Sequence, residues 1–251
     1  MTCVGNLLGW SSGASGFVAH TTDGGQTWAE QASGLTADLR TIRFGTSGLG
    51  LVGGDAGALA ITANGGTTWA QVATGTQSTI RGVAVSSTGV LLAVGDGGFG
   101  LRSTDGGANW SSLKIAGAGD LTAVAMDANA KTAIVADTLG HVYWTVNAGA
   151  SFYLETTAAQ PIRALSIADD GVRALAVGDL GTVLERQGSD AWTTVDAGTS
   201  TDLHAALILD GDVSEYIGGE AGMLMQTMDH GSHWASVPVA TTASINGLDD
   251  L

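Results

Sequence analysis

Arg40, Arg81 and Arg163 each follow one apolar residue at the start of a β-prone run: LRTIRF, IRGVAV and IRALSI. Thr122, His204 and Asn246 hold the matching place in LTAVAM, LHAALI and INGL. The chain has only seven arginines, so three at one repeated position is a concentration that core formation does not require. The residues just before them (Leu39, Ile80, Leu121, Ile162, Leu203 and Ile245) are the ones suited to a core. A guanidinium is a planar fork of donors that matches a carboxylate. Short hairpins further along carry Asp55, Asp96, Asp137, Asp179 and Glu220, which are expected on the same face as the arginines. Two outcomes are open. Each arginine pairs with a hairpin carboxylate and does no more, or Arg40, Arg81, Arg163 and His204 form an inner arc that recognises an anion or carboxylate.

Other residues able to do chemistry read as structural. His230 and His233 have the H-x-x-H spacing that can begin a zinc site, but no Cys or third His lies nearby in sequence, and both read as surface residues. DGDVSE, residues 210–215, lacks the length and ligand order of an EF-hand and reads as a hairpin turn. GDGGFG, residues 95–100, is glycine-rich, but a phosphate loop needs a helix after it, and the β-prone LRST follows instead. Among 24 acidic residues no pair is singled out for acid–base work. Cys3 is the single cysteine, so no internal disulfide forms. No metal or cofactor is expected.

The elements that position these residues follow from a repeat. TTDGGQTW, TANGGTTW, STDGGANW, TVNAGASF and TMDHGSHW end at Trp28, Trp69, Trp110, Phe152 and Trp234, and a worn copy ends at Trp192. The aromatics are 40 to 42 residues apart. Within one period, LRTIRF, LGLVGG, ALAIT and TTWAQV are four short β-prone runs separated by turn signals, with no helical spacing. Four strands per period of about 41 residues is one propeller blade. The fold class is therefore all-β, a six-bladed propeller of four-stranded blades forming a single domain over 1–251. Blades end near 28–37, 69–78, 110–119, 152–160, 192–200 and 234–240. Counted back from Trp28, blade one lacks most of its innermost strand, while Ile245 lies as far beyond Trp234 as Leu39 lies beyond Trp28. Residues 241–251 are thus expected to pair into blade one and close the ring, which removes exposed sheet edges. In each repeated turn, Asp23, Asn64, Asp105, Asn147 or Asp229 can accept turn N–H groups, the following Gly can take positive φ, and the aromatic packs. These turn residues are structural.

The eight-residue turns resemble Asp-boxes, the bacterial neuraminidase repeats found in sialidases and sortilin-type receptors. The longer stretches LGLVGGDAGALAITANGGTTW and LLAVGDGGFGLRSTDGGANW resemble repeats of the photosystem II stability/assembly factor family, which join a Gly-Asp-x-Gly hairpin to an Asp-box. The resemblance covers all six copies, departing in the worn fifth copy and in having six blades where the assembly factors have seven. It implies a non-enzymatic binding or assembly platform, without implying a photosystem role. It also implies partner binding through an arginine-rich patch, for which Arg40, Arg81 and Arg163 are the equivalents. The sialidase alternative needs an Arg-Ile-Pro motif, an arginine triad and a Tyr–Glu pair. No Arg-Ile-Pro occurs, and Tyr143, Tyr153 and Tyr216 lie in or beside β-segments.

The formal net charge of −15 repels phosphate backbones, which argues against nucleic-acid partners. No apolar run reaches the length of a membrane span. No signal peptide is visible after Met1. The expected function is a scaffold that binds a protein partner, through an acidic segment of that partner. The alternatives are a structural part of a virion or cell surface, and a secreted glycan-binding or glycan-cleaving propeller. An extracytoplasmic or virion-associated setting is expected.

Overall fold

The computed structural model describes residues 1–4, 7–45, 47–188, 191–209 and 213–249. The chain is all-β: six four-stranded antiparallel sheets follow one another along the sequence, each built from four consecutive strands. Blade two shows the pattern. Leu39–Phe44, Gly50–Gly54, Leu59–Thr62 and Ala70–Gln71 pair in that order. The second strand is buried along its whole length in blades two to five. That burial explains why GLVGG, LLAVG and ALAVG carry no polar side chain: both faces meet neighbours. The outermost strand is only two exposed residues long in blades two, three and six.

Contacts divide the chain into two compact units, Met1–Ala116 together with Asp249, and Gly117–Leu248, each holding three blades. In the first unit, Trp10, Val18, Ile42 and Val52 pack between blades one and two, and Leu51, Ile80, Leu91 and Leu101 between blades two and three. In the second unit, Ile134, Trp144, Leu165 and Ala176 fill the junction of blades four and five, and Leu175, Val183, Leu203 and Ile217 that of blades five and six. Burying one such aliphatic side chain contributes about 1.5–3 kcal/mol.

Glycine permits close approach both between neighbouring blades and between the first two strands of one blade. A Cβ on Gly53 would lie 2.6 Å from Ile80 Cγ2, and one on Gly54 would lie 2.1 Å from the Asp38 carbonyl oxygen. Gly95, Gly178 and Gly219 meet the carbonyls of Thr79, Pro161 and Asp202 in the same way. The second-to-third-strand hairpins of blades one, two, three, five and six turn through two left-handed residues, Ser15, Ala56, Gly97, Leu180 or Ala221 and the glycine that follows it.

The repeated turns share one hydrogen-bond pattern. In blade three, Ser103 Oγ donates to Asp105 Oδ1 at 2.8 Å and accepts the Gly107 N–H at 2.9 Å. Asp105 Oδ1 accepts the Asn109 N–H at 2.9 Å, and Oδ2 accepts Asn109 Nδ2 at 2.7 Å. Asp23, Asn64, Asn147 and Asp229 repeat the backbone contact. Gly25, Gly66, Gly107, Gly149 and Gly231 all have positive φ. In blade five, Glu185–Arg186 stands where the other blades have a residue followed by Ser or Thr, and the pattern is absent among its described residues.

The C-terminal segment differs from the closing strand expected over 241–251. Residues 241–249 carry no strand, Asp250 and Leu251 lie outside the described residues, and blade one forms its sheet from its own four strands, beginning with Thr2–Val4. The β-prone TCV supplies the ladder, whereas INGLD interrupts its apolar pattern with Asn246, Gly247 and Asp249. Ile245 nonetheless docks on blade six as Leu39 docks on blade one. Its N–H donates to the Gly219 carbonyl at 2.9 Å, as that of Leu39 does to Gly13, also at 2.9 Å. The Cys3 N–H donates to the Asp249 carboxylate.

The turns predict an acid transition. Hydrogen bonds hold the Asp23, Asp105 and Asp229 carboxyls down at about 2, chiefly those from the Thr27, Asn109 and His233 side chains, then from the backbone N–H of the same residues. A carboxyl whose folded pKa lies below its unfolded value of about 3.9 stabilises the fold above that value and loses the contribution as pH falls through the folded one. The melting temperature should therefore drop between about pH 4 and pH 2. Replacing all three with Asn, the residue found in blades two and four, should shrink the drop. An unchanged drop on a circular-dichroism melt would contradict this account.

Candidate functional site

A register shift places the inner-strand arginines. In blade two, Leu39 pairs with Gly54 and Thr41 with Gly53, so Arg40 is an extra residue with no partner opposite. Thr122, Arg163 and His204 are skipped in the same way, and Arg81 sits at the corresponding irregularity of blade three. Such a β-bulge frees one side chain from strict alternation and re-aims it. The preceding Leu39, Ile80, Leu121, Ile162 and Leu203 are all buried, while the arginines emerge.

Each arginine grips the hairpin aspartate of its own blade with two donors. Arg40 Nε and Nη2 donate to Asp55 at 3.0 and 2.6 Å, and Arg163 Nε and Nη2 donate to Asp179, both at 2.7 Å. Arg81 holds Asp96 through the same two atoms. The guanidinium side chains remain 53%, 47% and 39% exposed in Arg40, Arg81 and Arg163, so the pairs are formed at the surface. Nη1 of these three makes no hydrogen bond among the described residues. The bonds from Arg40 and Arg163 depress the Asp55 and Asp179 carboxyls, and the same bonds raise the two guanidinium groups.

Within the first unit, Asp55 also feels the charge of Arg81. Within the second, Asp179 feels His204, and Arg163 feels Asp202. Thr122 bonds the Ile162 carbonyl at 2.6 Å. Asp38 and Asp202, which lead into inner strands, accept the N–H of the preceding blade's left-handed hairpin residues, Ser15 and Leu180.

Asp137 corrects the expectation of a carboxylate on every hairpin of the exposed face. It is fully buried, pairs with Leu121, and so stands where blades two, three, five and six have Gly54, Gly95, Gly178 and Gly219. Its carboxylate accepts the N–H groups of Gly119, Leu139 and His141, each at 2.9 Å, and contacts the His141 ring. The hairpin has the same length as the others, but its acid stands one position earlier, at the glycine place, and Thr138 occupies the place of the surface aspartate. His233 is exposed, as expected, and contacts Asp229. His230 instead sits half-buried, 3.9 Å from Glu215. Of the expected hairpin turn over 210–215, Asp210, Gly211 and Asp212 lie outside the described residues, and Glu215 at its end is buried in a strand.

Sequence reading missed the charged groups inside the second unit. Arg186 lies 3.9 Å over the Trp144 ring and 3.2 Å from Glu155, which also accepts the Trp192 indole N–H at 3.0 Å. Glu185 and Glu215 are 4% and 3% exposed. The available signal was Glu185–Arg186 itself, a charged pair where the other blades place a residue followed by a turn hydroxyl.

No protein-family model matches the chain, and no curated protein matches it. Solved structures match in fold. YCF48 bound to a D1 peptide superposes with TM-score 0.72 at 17% identity, covering 94% of this chain and 79% of that one. YCF48 from Cyanidioschyzon merolae gives 0.71 at 17%, covering 94% and 83%. A GH74 xyloglucanase from Xanthomonas campestris gives 0.75 at 15%, covering 96% of this chain and 46% of the enzyme. The fold class is therefore that of a β-propeller, here with six blades.

The exposed Arg163–Asp179 pair should contribute little to stability, since such pairs are worth about 0–1 kcal/mol. Arg163→Ala should lower the unfolding free energy from a urea titration by no more than that. A loss of several kcal/mol would mean that the pair is needed to form the hairpin.

Proposed function

We propose that the chain is a non-enzymatic binding or assembly scaffold that takes a segment of a protein partner through inner-strand residues of its blades, Arg40 and Arg81 in the first unit and Arg163 and His204 in the second. The observation that carries this reading is the repeated presentation of a half-exposed guanidinium. Three bulges aim an arginine outward, three aspartates lock two of its donors, and Nη1 is left for a further acceptor. A pre-locked fork loses less side-chain entropy on binding than a free one. A carboxylate from an acidic segment fits that donor. In a chain of net charge −15, such a contact is local and selective. The fold likeness to YCF48, one structure of which holds a D1 peptide, supports a peptide-type partner. The Asp-box turns and the absence of an enzymatic role belong to the same reading.

The competing reading is a glycan-binding or glycan-cleaving propeller, favoured by the likeness to the xyloglucanase. Turnover of xyloglucan by the purified chain would replace the scaffold reading.

The test is capture from native extract with wild type, Arg81→Glu/Arg163→Glu and the matching double Ala variant. Both variants should keep the wild-type melting temperature within a few degrees and lose the partner. Identical partners in identical amounts from all three proteins would remove the arginines from the site. Recovery of the partner in particle or envelope fractions would make the chain a structural part of a larger assembly.

A further inference from the structure

One position is repeated at the blade junctions inside each unit. It lies between the penultimate residue of a third strand, or its equivalent, and the first paired residue of the next blade's second strand. Between blades two and three this pair is Ile61 and Leu91, whose side chains close over Gly107. Between blades four and five it is Trp144 and Ala174, large against small within one apolar cluster. Between blades one and two it is His20 and Gly50, with the Phe44 ring filling the space a Cβ on Gly50 would need. Between blades five and six it is Glu185 and Glu215. Apolar or shape-fitting solutions serve the other junctions, so packing does not require two carboxyl groups here.

These carboxyl groups are more than nine-tenths buried and within hydrogen-bonding reach of one another. Arg173, leading into the second strand of blade five, places Nη1 3.7 Å from Glu215 Oε1. Arg173 Nη2 also donates to the Leu209 carbonyl at 3.4 Å. His230, in the last repeated turn, places Nδ1 3.9 Å from Glu215 Oε1. Gln187 bonds Glu185, and Asp229 adds a negative charge nearby. Arg173 Nη1, Glu185 Oε1, Glu215 Oε2 and His230 Nδ1 are buried without a hydrogen bond among the described residues. Gly231 is constrained by this cluster, since a Cβ there would lie 1.8 Å from Glu185 Oε1. With both carboxyls ionised, two buried negative charges face each other, Asp229 adds its charge from the exposed turn, and the one guanidinium comes no nearer than 3.7 Å to Glu215.

We propose that Glu185 and Glu215 form a buried proton-binding pair that latches blade five to blade six, holding the junction shut when one proton is shared and loosening it when that proton is lost. The shared proton makes one short O–H···O bond, and a single negative charge remains for Arg173 to balance. Removing it leaves like charges in a medium of low polarisability, where repulsion is strong. Burial raises both carboxyls, and the Glu185 charge further helps lift Glu215 to about 7. A carboxyl raised in the folded state favours the fold fully below its unfolded pKa, and the advantage is lost as pH rises to the folded value. The window is therefore about pH 4.5 to 7, above and opposite in sign to the acid window of the surface turns.

The test measures urea unfolding and amide exchange, corrected for intrinsic rates, from pH 5 to 8.5. Wild type should show a rise on the order of a hundred-fold in the opening constant of Val183–Arg186 and Glu215–Gly219 over that range. Glu215→Gln should flatten the profile, and so should Glu185→Ile/Glu215→Leu, which copies the junction of blades two and three. The double variant also serves if the single one fails to fold. His230→Asn should keep the slope. Carboxyl-carbon NMR of glutamate-labelled protein should show two coupled titrations displaced toward neutrality. A flat wild-type profile, a slope abolished by His230→Asn, or both carboxyls titrating near 4.5 would overturn the proposal.

Discussion

The close approach of each inner strand to the blade before it governs most of this structure. Ile80 occupies the space a side chain on Gly53 would need, and Ile245 does the same to Gly218. Because the first inner-strand residue must be buried in that notch, the chain takes up one extra residue immediately afterwards. That extra residue is Arg40, Thr122, Arg163 or His204 at four register shifts, and Arg81 at the fifth. Packing of an apolar residue thus causes the exposure of its neighbour. The candidate site is a consequence of how the blades stack.

The hairpins complete that geometry. Two left-handed residues reverse the chain, the aspartate before them faces the bulge, and two hydrogen bonds lock the arginine. Leu180 takes the left-handed conformation although it is bulky and 61% exposed. Such residues cost more there than Gly or Ala. The Asp202 carboxylate holds its N–H at 2.8 Å and compensates in part. Blade four departs from this scheme by carrying its aspartate one position earlier, at the glycine place, where it turns from the surface into a backbone anchor. The surface charge pattern is therefore irregular around the blades although the backbone repeat is nearly regular.

The two pH-sensitive features lie in different physical settings. Asp23, Asp105 and Asp229 are exposed carboxylates stabilised by local donors, so they favour the ionised state. Glu185 and Glu215 lie between two sheets, where burial favours the neutral state. Opposite environments push the same functional group in opposite directions. Loss of the repeated turn in blade five is linked to this contrast, because the third-strand segment without a turn hydroxyl is the one carrying Glu185 and Arg186.

Repeats at near-constant spacing, four β-prone runs in each and recurring glycine turns were enough to specify all-β blades in the sequence. Local chemistry decided them: turn hydrogen bonds join residues two to four apart, and strand burial follows from runs without polar side chains. The arginine position was also legible, because it recurs in register with core residues. Contacts between strands and between blades were not legible, since they join residues 15 to 40 or more positions apart. Whether Arg163 is locked by Asp179, whether Asp137 faces outward, and whether Thr2–Val4 or residue 245 and its neighbours supply a strand depend on which backbones approach closely. The Glu185–Glu215 contact is the clearest case. Each glutamate reads as an ordinary polar strand residue, and only the meeting of two sheets makes them a buried pair.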